Sequence, residues 1–165
     1  KKRNGATIFT YRINNPKNFG IAELNSKNNI VKLIEKPIKT KSNQAITGLY
    51  IYSNNAIEYA KSLKKSRRGE LEITDLNKIY LKKNKLCSVQ LGRGIAWLDT
   101  GTYESMMQAS ELIRTIEQRQ GLKIACPEEV AWRKKWISTS KLKKISKNYN
   151  NSSYGKYLED IVNFK

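Results

Sequence analysis

The apolar residues of this chain change their spacing partway along it, and that change fixes the order of its elements. Ala6 to Tyr11 has strand composition. Gly20 to Leu24 and Ile30 to Glu35 are further strand-like runs, and Asn25-Ser26-Lys27-Asn28-Asn29 between them is turn chemistry, which predicts a β-hairpin. Pro37 ends the second arm, because proline has no donor for a ladder. Thr47 to Tyr52 is another strand. Helical spacing then takes over: Ala56, Ile57, Ala60 and Leu63 share one face, as do Ile73, Leu76, Ile79 and Tyr80. Two short strands are expected at Ser88 to Leu91 and Ile95 to Leu98, around Gly92 and Gly94. Thr102 suits an N-cap, and Met106, Ala109, Ile113 and Ile116 form the stripe of a long helix behind it. Pro127-Glu128-Glu129 opens the next helix, with proline in the first turn and carboxylates at the positive end of the dipole. From there the pattern is helical and basic to about Asn163.

Strands mixed with helices, followed by helices alone, predict an α/β fold with a mixed sheet and a C-terminal helical subdomain. The division is expected between residues 1–101 and 102–165. A chain of 165 residues with 39% hydrophobic residues can build one ordinary core. No apolar stretch reaches the roughly 18 residues that span a bilayer. The basic start, Lys1-Lys2-Arg3, is followed by no apolar signal core. Without an initiator methionine, the chain reads as beginning inside something larger.

Two isolated cysteines, Cys87 and Cys126, and no histidine argue against zinc and against a disulfide framework. They read as small apolar fillers, reduced in a cytoplasmic protein. The net charge of +18, from 32 basic and 14 acidic residues, is uneven: no acid lies between Glu129 and Glu159. Such a balance steers a protein toward phosphates, nucleic acid or anionic surfaces. Base readout, however, favours arginine, asparagine and glutamine on a groove-facing helix. No such helix is visible, and a lysine-rich surface is also what an AT-rich genome writes onto any solvated face. Nucleic acid is not the expected partner.

Five stretches stand in a telling order. They are Phe19-Gly20-Ile21-Ala22-Glu23 with Glu35-Lys36-Pro37, then Ile46-Thr47-Gly48-Leu49-Tyr50, and Arg68-Gly69-Glu70-Leu71-Glu72-Ile73-Thr74-Asp75. After these come Ala96-Trp97-Leu98-Asp99-Thr100-Gly101-Thr102 and Gln120-Gly121-Leu122-Lys123-Ile124-Ala125-Cys126-Pro127-Glu128-Glu129. Each is weak alone; in this order and at these separations they resemble the sugar-binding half of the glucose-1-phosphate thymidylyltransferases, over nearly the whole chain. The last stretch is particular to the thymidylyl branch. The resemblance implies a sheet of the nucleotide-diphospho-sugar transferase type, lacking its N-terminal nucleotide-binding strands. It implies a reaction joining glucose 1-phosphate and dTTP to dTDP-glucose and pyrophosphate, in dTDP-rhamnose or other deoxysugar synthesis for cell-surface polysaccharide.

Two anions must meet in such a reaction, so positioning and charge neutralisation carry it. The resemblance makes Lys36 the cation on the sugar phosphate and Arg68 a second clamp, with neighbouring Arg67 the competing choice. Glu35 would accept from sugar hydroxyls. Phe19 and Gly20 would border the sugar, the glycine allowing close backbone approach; a plain hairpin glycine is the other reading. Ile46, Thr47 and Gly48 would offer backbone contacts, and Tyr50 a hydroxyl and a wall, unless it is ordinary strand core. Consecutive strand residues face opposite ways, so Glu35 and Lys36 share a ligand only if the strand ends or bends there. Asp99 would hold Mg2+, which takes one or two carboxylates plus phosphates and water; otherwise it is a turn residue. The family's end-product site maps onto Arg93, Glu129, Val130 and Arg133, and an exposed basic helix is the competing reading.

The family's Gly-rich nucleotide loop and first metal carboxylate have no counterpart here. The expectation is therefore a chain inactive alone, with an exposed sheet edge and apolar face, needing an N-terminal nucleotide-binding half. A homo-oligomer, a tetramer in the family, is implied. A related transferase for another nucleotide is the near alternative, and a non-catalytic basic interaction or nucleic-acid-binding module is the distant one.

Overall fold

A computed structural model describes residues 4–149 and 151–163. It divides into two compact units, Lys1–Trp97 and Leu98–Lys165. The first carries a five-stranded mixed sheet in the order β3-β2-β4-β1-β5. Its strands are β1 (Ala6–Arg12), β2 (Ile21–Leu24), β3 (Ile30–Ile34), β4 (Gln44–Tyr52) and β5 (Leu86–Gln90). β5 runs parallel to β1, and the other pairings are antiparallel. Asn25 closes the expected β2–β3 hairpin, its side chain accepting from the N–H groups of Lys27 and Asn29, both at 3.0 Å.

One face of this sheet is covered by α1 (Ala56–Lys61) and α2 (Ile73–Lys82). Ile8, Ala22, Ile30, Leu33 and Ile46 form one buried cluster. Ala6, Leu76 and Tyr80 form a second, against Tyr52, Ala56, Tyr59 and Leu63. Leu49 and Ile51, which alternate with the inward Tyr50 and Tyr52, are more than half exposed on the other side. Val89 is exposed too. The expectation of an uncovered apolar face corresponds to these three residues.

Several sequence expectations are corrected. Ile95 to Leu98 is not a strand; it is an extended loop, pinned where the Tyr11 hydroxyl donates to the Ile95 carbonyl at 3.0 Å. Tyr59 rather than Ile57 packs from α1, and Ile57 is exposed. The buried face of α2 is Thr74, Leu76, Asn77 and Tyr80, while Ile73 is exposed. Two polar side chains thus lie where an apolar stripe was expected, because each bonds across to the sheet: Thr74 to Glu35, and Asn77 from the Tyr52 hydroxyl at 2.6 Å. Cys126 is buried as expected, but Cys87 is exposed on β5; both are free.

The second unit begins with α3 (Tyr103–Gln120). Thr102 caps it as expected, accepting from Ser105 N–H at 3.1 Å, and Gly121 ends it at φ 68. Only Ala109 of its stripe is fully buried; Met106 and Ile113 are largely exposed. α4 (Pro127–Arg133), α5 (Thr139–Ser146) and α6 (Ser153–Asn163) share a core of Cys126, Leu142, Tyr157, Leu158 and Ile161. Among the described residues, no helix is long and apolar enough to cross a membrane.

The acidic first turn of α4 serves more than the helix dipole. Glu128 accepts from the hydroxyls of Tyr154, at 2.5 Å, and Tyr149, at 3.2 Å, and Glu129 accepts from Tyr157. The Tyr154 hydroxyl, above all, holds the Glu128 carboxyl below its ordinary 4.5. Burial, then the bond to the Cys126 sulfur and the bond to Glu128, push Tyr154 well up, and burial followed by the Glu129 bond pushes Tyr157 to about 12, from 10.0. A depressed carboxyl stabilises the fold above its unfolded pKa and loses that contribution as pH falls. A raised phenol stabilises below its unfolded pKa and loses it as pH rises. Urea titrations across pH should therefore show stability falling below pH 4.5 and again above pH 10.0. Glu128→Gln should flatten the acid limb, and Tyr157→Phe should shrink the alkaline one.

Candidate functional site

The end of β3 is where the sheet stops being regular. Glu35 lies just past the strand, and Lys36 takes a φ of 40, a left-handed conformation unusual for a residue with a side chain. Such a conformation costs on the order of 1–3 kcal/mol and persists where its surroundings enforce it. Here the Lys36 N–H donates to the Phe19 carbonyl at 3.1 Å and Pro37 is buried behind it. The strict alternation of a strand therefore ends before Glu35, which is the bend the sequence requires if Glu35 and Lys36 are to serve one ligand.

Glu35 turns inward to α2. Its Oε2 accepts from the Thr74 hydroxyl at 2.5 Å, and Thr74 is 1% exposed. Its Oε1 lies 3.7 Å from the Arg68 guanidinium. Gly20 sits between these groups, and its carbonyl accepts from Ile46 N–H at 2.7 Å. A Cβ on Gly20 would stand 3.0 Å from the Thr74 hydroxyl and 3.2 Å from Glu35 Oε2. Glycine leaves room for the Thr74–Glu35 bond, which a side chain here would crowd by a few tenths of an ångström.

β4 supplies the neighbouring wall. Its register against β1 slips between Ile8 and Thr10, which pair with Tyr50 and Ile46, so the extra β4 residues bulge at Thr47-Gly48-Leu49. Thr47 is buried and donates its hydroxyl to the Phe9 carbonyl at 3.1 Å, so what it can offer a ligand is backbone. A Cβ on Gly48 would meet nothing within 4 Å, so the bulge opens onto free space. Tyr50 stacks on Tyr52 with ring centroids 5.7 Å apart. Burial, and then the negative charge of Glu35, raise its pKa, so its phenol stays protonated beside the carboxylate.

Arg68, rather than Arg67, is the arginine that reaches Glu35. Its guanidinium also lies 2.6 Å from Glu70 and 3.7 Å from Glu72. Phe19 meets Trp97 edge-on at 5.2 Å, and Tyr11 packs against the same indole at 5.9 Å. The structure thus gathers Phe19, Gly20, Glu35, Lys36, Ile46, Tyr50 and Arg68 around the end of β3. Arg93 is exposed in the loop after β5, in the same unit.

Asp99 belongs to the second unit. It is exposed, and its Oδ2 accepts from Gly101 N–H at 3.3 Å. Among the described residues, no three acidic or thiol side chains converge as a metal cage. Glu129, Val130 and Arg133 lie on α4. Arg133 donates to Glu129 at 2.7 Å, and Val130 is exposed.

Sequence reasoning missed Thr74, Glu72 and Tyr11. The signal for Thr74 was a polar residue three before Asn77 on the buried face of an amphipathic helix, and neither has a reason to be there without a partner. Thr74→Val should cost about 1–3 kcal/mol in urea unfolding, the range for a hydrogen bond to a charged, mostly buried group. Thr74→Ser should restore most of it, since it keeps the hydroxyl.

Against known proteins, residues 1–116 match the family model described as nucleotidyl transferase. A glucose-1-phosphate thymidylyltransferase of Neisseria meningitidis is 49% identical over 154 residues, covering 93% of this chain and 54% of that protein. Namesakes from Xanthomonas campestris pv. campestris and Mycobacterium tuberculosis are 47% and 46% identical, each over 55% of its own length. A crystal structure from Bacillus anthracis, described as a glucose-1-phosphate thymidylyltransferase in complex with a sucrose, superposes with a TM-score of 0.60 at 38% identity. It covers 67% of this chain and 44% of that one. The chain thus spans about half the length of the curated relatives it matches. With residues 1–116, well over half of its length, matching that family model, this chain belongs to the nucleotidyl transferases.

Proposed function

We propose that this chain carries the sugar-phosphate half of a glucose-1-phosphate thymidylyltransferase, joining glucose 1-phosphate and dTTP to dTDP-glucose and pyrophosphate. The observation that carries the reading is the left-handed turn at Lys36, which frees Glu35 and Lys36 from strand alternation beside Arg68 and Gly20. The names of relatives 46% to 49% identical support it.

In this reading the Glu35 carboxylate, held by Thr74, accepts from hexose hydroxyls. Tyr50 adds a protonated phenol. The bulge at Gly48 and the backbone of Ile46 and Thr47 border the ring, with Phe19 on the other side. Lys36 and Arg68 hold the sugar phosphate, whose oxygen attacks the α-phosphorus of dTTP. The α–β phosphoanhydride breaks and pyrophosphate leaves. Both cations lower the repulsion between the approaching anions. Asp99 would hold Mg2+: it is exposed and its carboxylate accepts one bond, from Gly101, which leaves lone pairs for a cation. A bound Mg2+ would supply charge neutralisation on the phosphates.

Full activity requires a nucleotide-binding half such as the longer relatives have room for, and this chain alone is expected to be inactive. The reading places the protein in the cytoplasm, in deoxysugar supply for cell-surface polysaccharide, as a homo-oligomer. It assigns end-product binding to Arg93, Glu129, Val130 and Arg133.

Calorimetric titration of the chain with glucose 1-phosphate tests the core of this proposal. Binding should be saturable, should weaken at least about tenfold in Lys36→Met, as loss of a charge-assisted bond implies, and should be insensitive to Lys141→Met on the basic helix α5. Equal affinity in Lys36→Met would reject the assignment. Binding of nucleic acid with a steep salt dependence instead would favour a basic interaction module.

A further inference from the structure

The Arg68 guanidinium is surrounded by carboxylates, although its proposed ligand is a phosphate. Nη2 bonds Glu70 at 2.6 Å, and Nη1 lies 3.7 Å from both Glu35 and Glu72. The three acids are not equivalent. The Glu72 side chain is 11% exposed, and its Oε1 accepts from the Ser66 hydroxyl at 2.8 Å. Ser66 Oγ in turn accepts from the Arg68 N–H at 3.1 Å. The turn is closed by Gly69 N–H donating to the Ser66 carbonyl at 2.9 Å, with Gly69 at φ 80. Glu72 is therefore fixed relative to the backbone that carries Arg68. Glu35 is fixed by Thr74. Glu70, with its side chain 60% exposed, has Arg68 as its side-chain partner and water around it.

Three carboxylates against one guanidinium leave an excess of two negative charges (three minus one). An arriving phosphate, held also by Lys36, meets half of that excess once one acid withdraws. Only Glu70 can withdraw into water at little cost, because an exposed ion pair contributes about 0–1 kcal/mol. Its bond to Nη2 occupies one prong of the fork that would otherwise grip a phosphate bidentately.

We propose that Glu70 and Glu72 divide the handling of Arg68: Glu72, through Ser66, is a positioning residue that aims the guanidinium, and Glu70 is an exchangeable partner that the phosphate of an incoming sugar phosphate displaces. The inference rests on the sugar-phosphate reading above and adds to it a competitor that sets affinity from within the site.

Two measurements on the full chain separate this idea from its parent. The first needs no ligand: the guanidinium resonances of Arg68, assigned by comparison with Arg68→Met, should show restrained rotation in the wild type and freer rotation in Glu72→Gln. Free rotation in the wild type would remove the arrangement. The second is titration with glucose 1-phosphate. Glu70→Gln should bind about threefold tighter, the scale of an exposed pair, and the gain should vanish in the Arg68→Met background. Glu72→Gln should bind at least about tenfold weaker, the scale of a partly buried charge-assisted bond. A Glu70→Gln affinity unchanged or weaker, or a gain that persists without Arg68, overturns the division of roles while the sugar-phosphate reading stands. No binding by the wild type with Arg68 restrained rejects the sugar-phosphate reading itself, and this proposal with it.

Discussion

One carboxylate ties together the three segments from which the candidate site is made. Glu35 comes from the end of β3, Thr74 from the first turn of α2, and Arg68 from the loop between the two helices. Without that carboxylate Thr74 would be a buried hydroxyl with nothing to bond, and the guanidinium would face Glu70 and Glu72 alone. Gly20 follows from the same bond, since any side chain there would press on both partners. The strained backbone at Lys36 is then understandable as the turn that lets Glu35 point into this junction while its neighbour stays exposed.

Much of the fold was legible because it depends on local chemistry. The β2–β3 hairpin follows from its Asn-rich turn, the end of β3 ahead of Pro37 from a missing donor, and the start of α3 from Thr102. What failed was decided by tertiary partners. Ile95 to Leu98 has strand composition but becomes a loop, because Tyr11 and Phe19 capture it through Ile95 and Trp97. Ile73 looks like core and is exposed, because α2 rotates Thr74 and Asn77 inward to satisfy Glu35 and Tyr52. The candidate site was read as separate motifs; their convergence around the end of β3, and the acids around Arg68, need the fold. Asp99 and the α4 residues lie in the second unit, and their part in the proposal rests on sequence likeness.

Compactness and kinship divide the chain differently. Contacts separate it after Trp97, four residues before the division expected at residue 101, whereas the family match runs on through residue 116. Most of α3 therefore belongs to the nucleotidyl transferase body by descent, although only Ala109 of its stripe is fully buried. Its exposed Met106 and Ile113, like Leu49 and Ile51 on the sheet, are apolar surface in a chain about half as long as its relatives. The α4–α6 core, by contrast, is closed on itself, with the Glu128 and Glu129 carboxylates tied to α6 tyrosines.

The central claim is that the Glu35 junction receives a phosphorylated hexose, and a crystal structure of the chain soaked with glucose 1-phosphate examines it most directly. The account predicts sugar hydroxyls within hydrogen-bonding distance of the Glu35 carboxylate and the phosphate against Lys36 and Arg68, with Thr74 still bonded to Glu35. A hexose phosphate bound elsewhere, with Glu35 and Arg68 unchanged, would contradict it.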